Sequence, residues 1–324
     1  MPEDDSGLRR TVASFRRHGF VFPIEVFSAE EKLHYRAKYE EFVSKYGSGE
    51  GPGRRVRGNK IFRLHLVAPW AAQIVRHTRL LAVVKAVLDT SNVLIWSSDL
   101  TVKSPRSSEC FGWHQDSAYA DLGPEHKLVT AWVAISDSRE ENGCVRLVSG
   151  SQRLGELRHT GEQRTEDRNL VLGQTVASED MPDLGAEVKR PTDSREMADD
   201  KECREVLCQM EAGEASLHGW RTIHSSLPNT SDMPRLGLAI RFMCGDSVRQ
   251  QRPVVRDRVS LAAGQFTGDW FELEPEPQTE YGKAEWLEHK RSMGVEWERR
   301  RRSKQLGMLP SHQEKQNSQT TVIR

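Results

Sequence analysis

The sequence predicts a mainly β domain, an antiparallel sandwich or barrel, with α-helices flanking it. Two features carry this. Five segments rich in branched and aromatic residues, at 93–103, 128–135, 144–149, 206–210 and 236–244, follow one another through the middle of the chain. Turn-forming clusters separate them, among them SPRSS, DSREENG and LPNTSDMP. Short strands punctuated in this way close into antiparallel layers.

The flanking elements are legible in order. Ser28-Ala29-Glu30-Glu31 is a capping box, in which the serine hydroxyl and the glutamate carboxylate each reach an N–H the helix leaves unpaired. Tyr35, Tyr39, Phe42, Val43 and Tyr46 follow at helical spacing, and Gly47 ends the helix. A Gly/Arg-rich loop, GSGEGPGRRVRG, comes next. Pro69 suits the first turn of a further helix running to about Leu88, with Ile74, Leu81, Val84 and Leu88 apolar. Residues 1–90 are therefore expected as a helical region packed on a β core at 91–275. Within that core, 156–204 is polar, charged and poor in aromatics. A loop of this length in a compact domain is usually a functional lid or a disordered insert. A lid is expected, because the segment falls between the two halves of the candidate site described below. A C-terminal unit at 276–308 carries a helix from Gly282 to about Lys304 with Trp286, Met293 and Trp297. Arginines 299–302 read as its solvated end, and 309–324 as a disordered tail.

Composition narrows the class. A chain of 324 residues, 36% hydrophobic, suits one β-barrel domain with helical additions. Lys+Arg and Asp+Glu are both 47, so no net field draws in nucleic acid or an anionic membrane. Five cysteines, odd in number and without paired metal-ligand spacing, read as free thiols of a reducing compartment. No stretch is apolar for the length of a membrane span, and MPEDDSGLRR lacks a signal core. The expectation is a cytoplasmic protein, monomer or homodimer, that acts on a small molecule and binds neither nucleic acid nor membrane.

The chemistry-bearing residues are His114, Asp116, His224 and Arg235. On a strand, side chains two apart share a face, so His114 and Asp116 can bind one ion while Gln115 points elsewhere. H-x-D alone is a weak signal, and a surface pair is its bland reading. His224 changes that weighting. It ends a β-like segment before the turn Leu227-Pro228-Asn229, and Arg235 opens the strand that returns beside it. Two histidines and a carboxylate can hold one face of an octahedral ferrous ion and leave the other open. A guanidinium can grip the far carboxylate of an organic acid chelated to that ion. The set points to Fe(II) with 2-oxoglutarate and O2 as co-substrates. Arg241 competes with Arg235; the two are six apart, so alternation cannot separate them, and spacing from His224 favours Arg235. Ser226, two past His224, can share its face. His218 reads as a pocket or packing histidine, and Trp113 and Trp220 as core or pocket wall.

These segments resemble the phytanoyl-CoA dioxygenase family of Fe(II)/2-oxoglutarate-dependent oxygenases. The matching stretches are GWHQDSAYADL (112–122), LVTAWVAISD (128–137), ENGCVRLVSGSQRLG (141–155) and LHGWRTIHSSLPNTSDMPRLGLAIRF (217–242). They occur in family order, and the resemblance runs from about 10 to 275. It implies a double-stranded β-helix, the jelly-roll or cupin-like core. It implies His114, Asp116 and His224 as the metal triad and Arg235 and Ser226 as contacts to the distal carboxylate of 2-oxoglutarate. Gln115 and Trp132 match positions flanking the co-substrate. Lys60 matches an upstream lysine that also reaches it, with Lys103 a rival for that role. The family's P-G-S-H reads Ser149-Gly150-Ser151-Gln152 here, a change in a turn that touches no ligand. Related halogenases replace the triad carboxylate with a small residue; Asp116 is present, which implies a hydroxylase. A non-catalytic jelly-roll binding protein and a zinc hydrolase on the same ligands are the alternatives. The first conflicts with an intact triad plus Arg235, and the second leaves Arg235 without a role.

Overall fold

The computed structural model describes residues 5–46, 60–161, 169–170, 174–198 and 202–306. Helix α1 (Asp5–His18), strand β1 (Phe20–Glu25), α2 (Ala29–Tyr46), β2 (Lys60–Phe62), α3 (Pro69–Val75) and α4 (Thr78–Leu88) come first. The body follows as β3 (Val93–Lys103), β4 (Glu109–His114), β5 (Leu128–Ala134), β6 (Val145–Val148), β7 (Glu205–Cys208), β8 (Glu214–Gly219), β9 (His224–Ser226), β10 (Arg235–Cys244), β11 (Arg258–Ala263) and β12 (Glu272–Glu274). Helix α5 (Lys283–Gln305) closes the described chain. No described helix is long and apolar enough to cross a membrane.

The strands form two facing sheets of a jelly roll. The larger has the order β1-β8-β5-β10-β3-β11-β12, with β2 also on β3; the smaller runs β7-β6-β9-β4. Alternation gives the larger sheet two unlike faces. Val129, Ala131 and Val133 of β5 and Leu236, Leu238, Ile240 and Phe242 of β10 pack outward in one cluster with residues of α2, α3 and α4. The other face of the same strands carries Thr130, Trp132, Arg235 and Arg241. Trp132 and Ala134 there share a cluster with Val145, Leu147, Val206 and Cys208 of the smaller sheet. The outer face thus anchors the fold, and the inner face is where polar groups are gathered.

The capping box forms: Glu31 N–H donates to Ser28 Oγ at 3.2 Å, and Ser28 N–H to Glu31 Oε2 at 2.7 Å. Four expectations change. The N-terminal region is not wholly helical, because the apolar run Phe20-Val21-Phe22 pairs with β8 as an edge strand of the larger sheet. The single helix expected over 69–88 is two, broken at Arg76 and His77. Arg76 Nε donates to Leu261 O at 2.9 Å and His77 Nε2 meets Glu31 Oε1 at 3.1 Å, so tertiary partners hold the break. Arg299 is not solvated: it is 3% exposed, pairs with Asp257 at 3.2 Å and lies 5.1 Å from the Trp96 ring. Arg301 and Arg302 do face solvent and pair with Glu298. The described parts of 156–204 are docked on the body. Ser194 Oγ accepts from Phe22 N–H at 2.9 Å, Ser194 O accepts from Ser14 Oγ–H at 3.2 Å, and Arg195 Nη2 donates to Pro23 O at 3.1 Å. Gly47, the Gly/Arg-rich loop, the middle of the expected lid and the C-terminal tail lie outside the described residues.

Breaking a buried ion pair strands its partner, at about 3–5 kcal/mol. Arg299→Ala should lower unfolding stability by about that amount, and Arg301→Ala by less than about 1 kcal/mol. Urea denaturation of both variants checks this. Equal, small effects would place Arg299 in solvent after all.

Candidate metal centre

His114 is the last residue of β4 and His224 the first of β9, and the two face each other in register across the smaller sheet. Their ring centroids are 4.0 Å apart. Gln115 is extended (φ −114, ψ 137), and Asp116 opens a 3-10 turn, Asp116–Tyr119. Asp116 is therefore not on the strand. The extended Gln115 between them still returns its carboxylate to the histidines. Metal-binding atoms of His114, Asp116 and His224 all lie within 4.8 Å of one another, and all three residues are buried.

Each histidine is oriented by its own backbone. His114 Nδ1 lies 2.8 Å from Gly112 O, and His224 Nδ1 2.9 Å from Thr222 O. A carbonyl only accepts, so Nδ1 carries a proton, and the neutral ring keeps on Nε2 the lone pair a metal needs. Burial, reinforced by His114 and His218, holds His224 well below the usual imidazole range, so it is neutral near pH 7. Asp116 Oδ2 accepts from Thr130 Oγ1–H at 2.5 Å. Burial opposes its charge, but Arg241, His218 and His224 prevail and hold its carboxyl well below the carboxylate range. Arg241 Nη2 is 3.8 Å from Asp116 Oδ1, while Arg241 Nη1 pairs with Asp99 at 2.7 Å. Two imidazoles, each anchored through Nδ1, and one ionised carboxylate converge on a common point and fit a ferrous ion.

A second polar centre lies at the other end of β10. Arg235 and Lys103 are cross-strand partners, each 1% exposed. Lys103 Nζ donates to Ser226 Oγ at 2.8 Å and to Leu227 O. Arg235 Nη1 donates to Gly143 O, and its guanidinium lies 5.1 Å from the Trp132 ring. Trp132 occupies the space a Cβ on Gly237 would need. Neither cation forms an ion pair with a carboxylate among the described residues. Burial pulls Arg235 down to about 10 and, with Arg235 adding, Lys103 down to about 6. A buried guanidinium beside a buried lysine, neither paired with a carboxylate, makes a site for an anion.

The remaining candidates are placed as follows. Gln115 is fully buried and turned away from both centres. Its Nε2 donates to Gly155 O and Arg221 O at 2.8 and 2.7 Å, and its Oε1 accepts from Leu157 N–H at 2.8 Å, so it fastens two loops. Lys60 pairs through its backbone with Thr101, and its side chain lies outside the described atoms. His218 is buried with its ring 4.4 Å from that of His224. Sequence reasoning missed Thr130 and Asp99. The signals were available: Thr130 shares a strand face with Trp132, and Asp99 is a lone carboxylate inside the otherwise neutral run at 93–102.

Jelly roll and buried His-Asp-His cluster together define a metal-dependent class, and the family model agrees. The model of the phytanoyl-CoA dioxygenase (PhyH) family matches residues 15–237, and the chain belongs to that family. The ectoine dioxygenase of Bordetella bronchiseptica is 28% identical over 151 residues, 44% of this chain and 48% of that protein. The chain spans about half the length of the curated relatives it matches. Among solved structures, the apo form of the non-heme monooxygenase ThoJ aligns with a TM-score of 0.71 at 26% identity, covering 91% of this chain and 99% of that one. SnoK, a non-heme α-ketoglutarate-dependent carbocyclase from nogalamycin biosynthesis, aligns with a TM-score of 0.56 at 25% identity, covering 77% and 88%.

Removing one donor of three should weaken Fe(II) binding by more than about 100-fold, beyond the loss typical of outer partners. His114→Ala, Asp116→Ala and His224→Ala, titrated anaerobically with Fe(II) and checked for native circular dichroism, test this. Wild-type affinity in any folded variant removes that residue from the site.

Proposed function

We propose that the chain is an Fe(II)- and 2-oxoglutarate-dependent dioxygenase that hydroxylates a C–H bond of a small-molecule or acyl substrate, with release of succinate and CO2. The observation that carries this is the pairing of a converging His-Asp-His cluster with a buried, counter-ion-free cationic pocket inside one jelly roll. The name of the ectoine dioxygenase relatives supports the dioxygenase class, and that of SnoK, a carbocyclase, supports 2-oxoglutarate as co-substrate. A zinc hydrolase would need the three ligands but not the pocket of Arg235.

In this reading His114, Asp116 and His224 hold the iron, and Arg235 with Ser226 receives the distal carboxylate of 2-oxoglutarate. Bound iron supplies the activation of O2, coupled to oxidative decarboxylation of 2-oxoglutarate. The chain supplies geometry. The carbonyls of Gly112 and Thr222 hold both rings by Nδ1 and leave both Nε2 atoms aimed at the centre of the cluster. Thr130 occupies Asp116 Oδ2 and leaves Oδ1 toward His224 Nε2, 4.0 Å away. Trp132 walls the pocket of Arg235, excluding water that would screen the guanidinium. Arg241 is already neutralised by Asp99 and lies beside Asp116, so it is the poorer candidate for the co-substrate.

Losing a desolvated charge-assisted contact costs a few kcal/mol, so Arg235→Gln should raise the 2-oxoglutarate KM about 100-fold. Arg241→Gln should raise it far less. Succinate formation at varied 2-oxoglutarate measures both, and a larger effect at Arg241 would exchange their roles.

Asp116 stands where related halogenases have a small residue, so iron held by His114, Asp116 and His224 would supply hydroxylation and not halogenation. Mass spectrometry of product formed under labelled O2 in high chloride should show one labelled hydroxyl. A chlorinated main product would contradict this assignment of Asp116.

A further inference from the structure

Strand β4 ends at His114, and the next amide, that of the fully buried Gln115, has no strand partner to receive it. A buried N–H without an acceptor is costly. The Gln115 N–H donates instead to His159 Nε2 at 3.0 Å. An accepting Nε2 puts the ring proton on Nδ1, which lies 2.9 Å from Leu157 O, so both nitrogens of the buried His159 are fixed. His159 opens a two-stranded ribbon, in which His159–Gly161 pairs antiparallel with Gln174–Val176. From the second strand, Thr175 Oγ1–H donates to Trp113 O at 3.0 Å. The ribbon therefore takes main-chain groups on both sides of His114. Neighbouring residues on a strand face opposite ways. Trp113 thus points away from the side His114 faces, and Val148 away from Leu147, the cross-strand partner of His224. Val176 of the ribbon shares one buried cluster with Val148 and Ile223, against which Trp113 and Leu157 pack. This part of the segment expected as a lid lies behind the metal ligands.

We propose that this ribbon braces the metal centre from behind, and that His159 is a positioning residue which, by holding the Gln115 amide, fixes the turn that returns Asp116 to the two histidines. Asp116 is off the strand, so the direction of its carboxylate is set by the backbone of Gln115, extended at φ −114 and ψ 137. Gln115 is held by its amide on His159 and by its side chain on Gly155 O, Leu157 N–H and Arg221 O. Gly155, Leu157 and His159 all belong to the stretch that leads into the ribbon. Thr130 and Arg241 meet the carboxylate only after this backbone has aimed it. The coupling runs both ways. A ribbon that holds Asp116 in place for a metal is itself held by a bound metal, to the same degree. This rests on His114, Asp116 and His224 as the metal site, adds to it a residue and a linkage, and makes no use of the co-substrate.

The test is calorimetric titration of Ni(II) into the full chain, joined to hydrogen exchange with and without Ni(II). His159→Leu, which keeps bulk and removes the acceptor, should bind Ni(II) about 10-fold more weakly than the wild type. His159→Gln, whose Oε1 can accept from the same amide, should stay within about threefold of it. In the wild type, saturating Ni(II) should slow exchange in peptides covering 157–161 and 174–177 while leaving α2 unchanged, and the slowing should shrink in His159→Leu. Equal losses of affinity in His159→Leu and His159→Gln would make the residue a packing group and overturn the proposal. Equal slowing in α2 would be global stabilisation and would overturn the coupling. Wild-type affinity in His159→Leu would overturn the brace and leave the metal site intact, whereas failure of the wild type to bind Ni(II) would overturn both. Should His159→Leu not fold, the wild type decides alone: ribbon exchange unchanged by Ni(II) overturns the proposal.

Discussion

His224 and His114 meet across a single antiparallel ladder, and β9, which carries His224, is only three residues long. It is held on both sides, by β4 and by β6. A slip of one residue would turn every side chain of β9 to the opposite face and separate the histidines. The same slip would remove Ser226 from Lys103, because His224 and Ser226 are two apart and the pairing with β4 shifts between them. One short strand therefore sets the metal end and the anion end of the site together.

That register is affordable because the larger sheet separates stability from chemistry. Its outer face buries aliphatic and aromatic residues against α2, α3 and α4. Its inner face buries Lys103, Thr130, Asp99 and Arg235, each of which costs free energy to desolvate. Where opposite charges adjoin, as in Arg241 with Asp99 and Asp116, the cost is largely offset. Where they do not, as in Lys103 with Arg235, it is left standing. Such a local violation is expected at a functional site in an otherwise consistent fold.

Much of this was legible in the sequence. Strand alternation and turn clusters marked the β core, and Ser28 with Glu31 marked the start of α2. The spacing of His114, Asp116, His224 and Arg235 marked a candidate site. What was not legible depended on tertiary contact. The break at Arg76 and His77 is held by Leu261 and Glu31, far away in sequence. Arg299 sits in a run of four arginines, and only its position on α5, against Asp257 and Trp96, distinguishes it from the exposed ones. Gln115 sits between two site residues, yet its amide is consumed by Gly155, Leu157 and Arg221. The reading from strand alternation, that Gln115 points away from His114 and Asp116, agrees with these partners, whereas the place beside the co-substrate came from the family resemblance.

The two arginines of β10 show how structure resolves what periodicity leaves open. Arg235 and Arg241 lie on the same face, as an even separation demands, so alternation is silent about them. They differ in what stands opposite. Arg241 pairs across the ladder with Ser97 and reaches Asp99, whereas Arg235 pairs with Lys103. A guanidinium beside carboxylates is a finished ion pair and has little left to offer a ligand. A buried guanidinium with only a lysine and no carboxylate beside it is left without a counter-charge. The partner strand β3, through Asp99 near one arginine and Lys103 near the other, thus divides two chemically identical side chains into one paired beside Asp116 and one left without a carboxylate partner among the described residues.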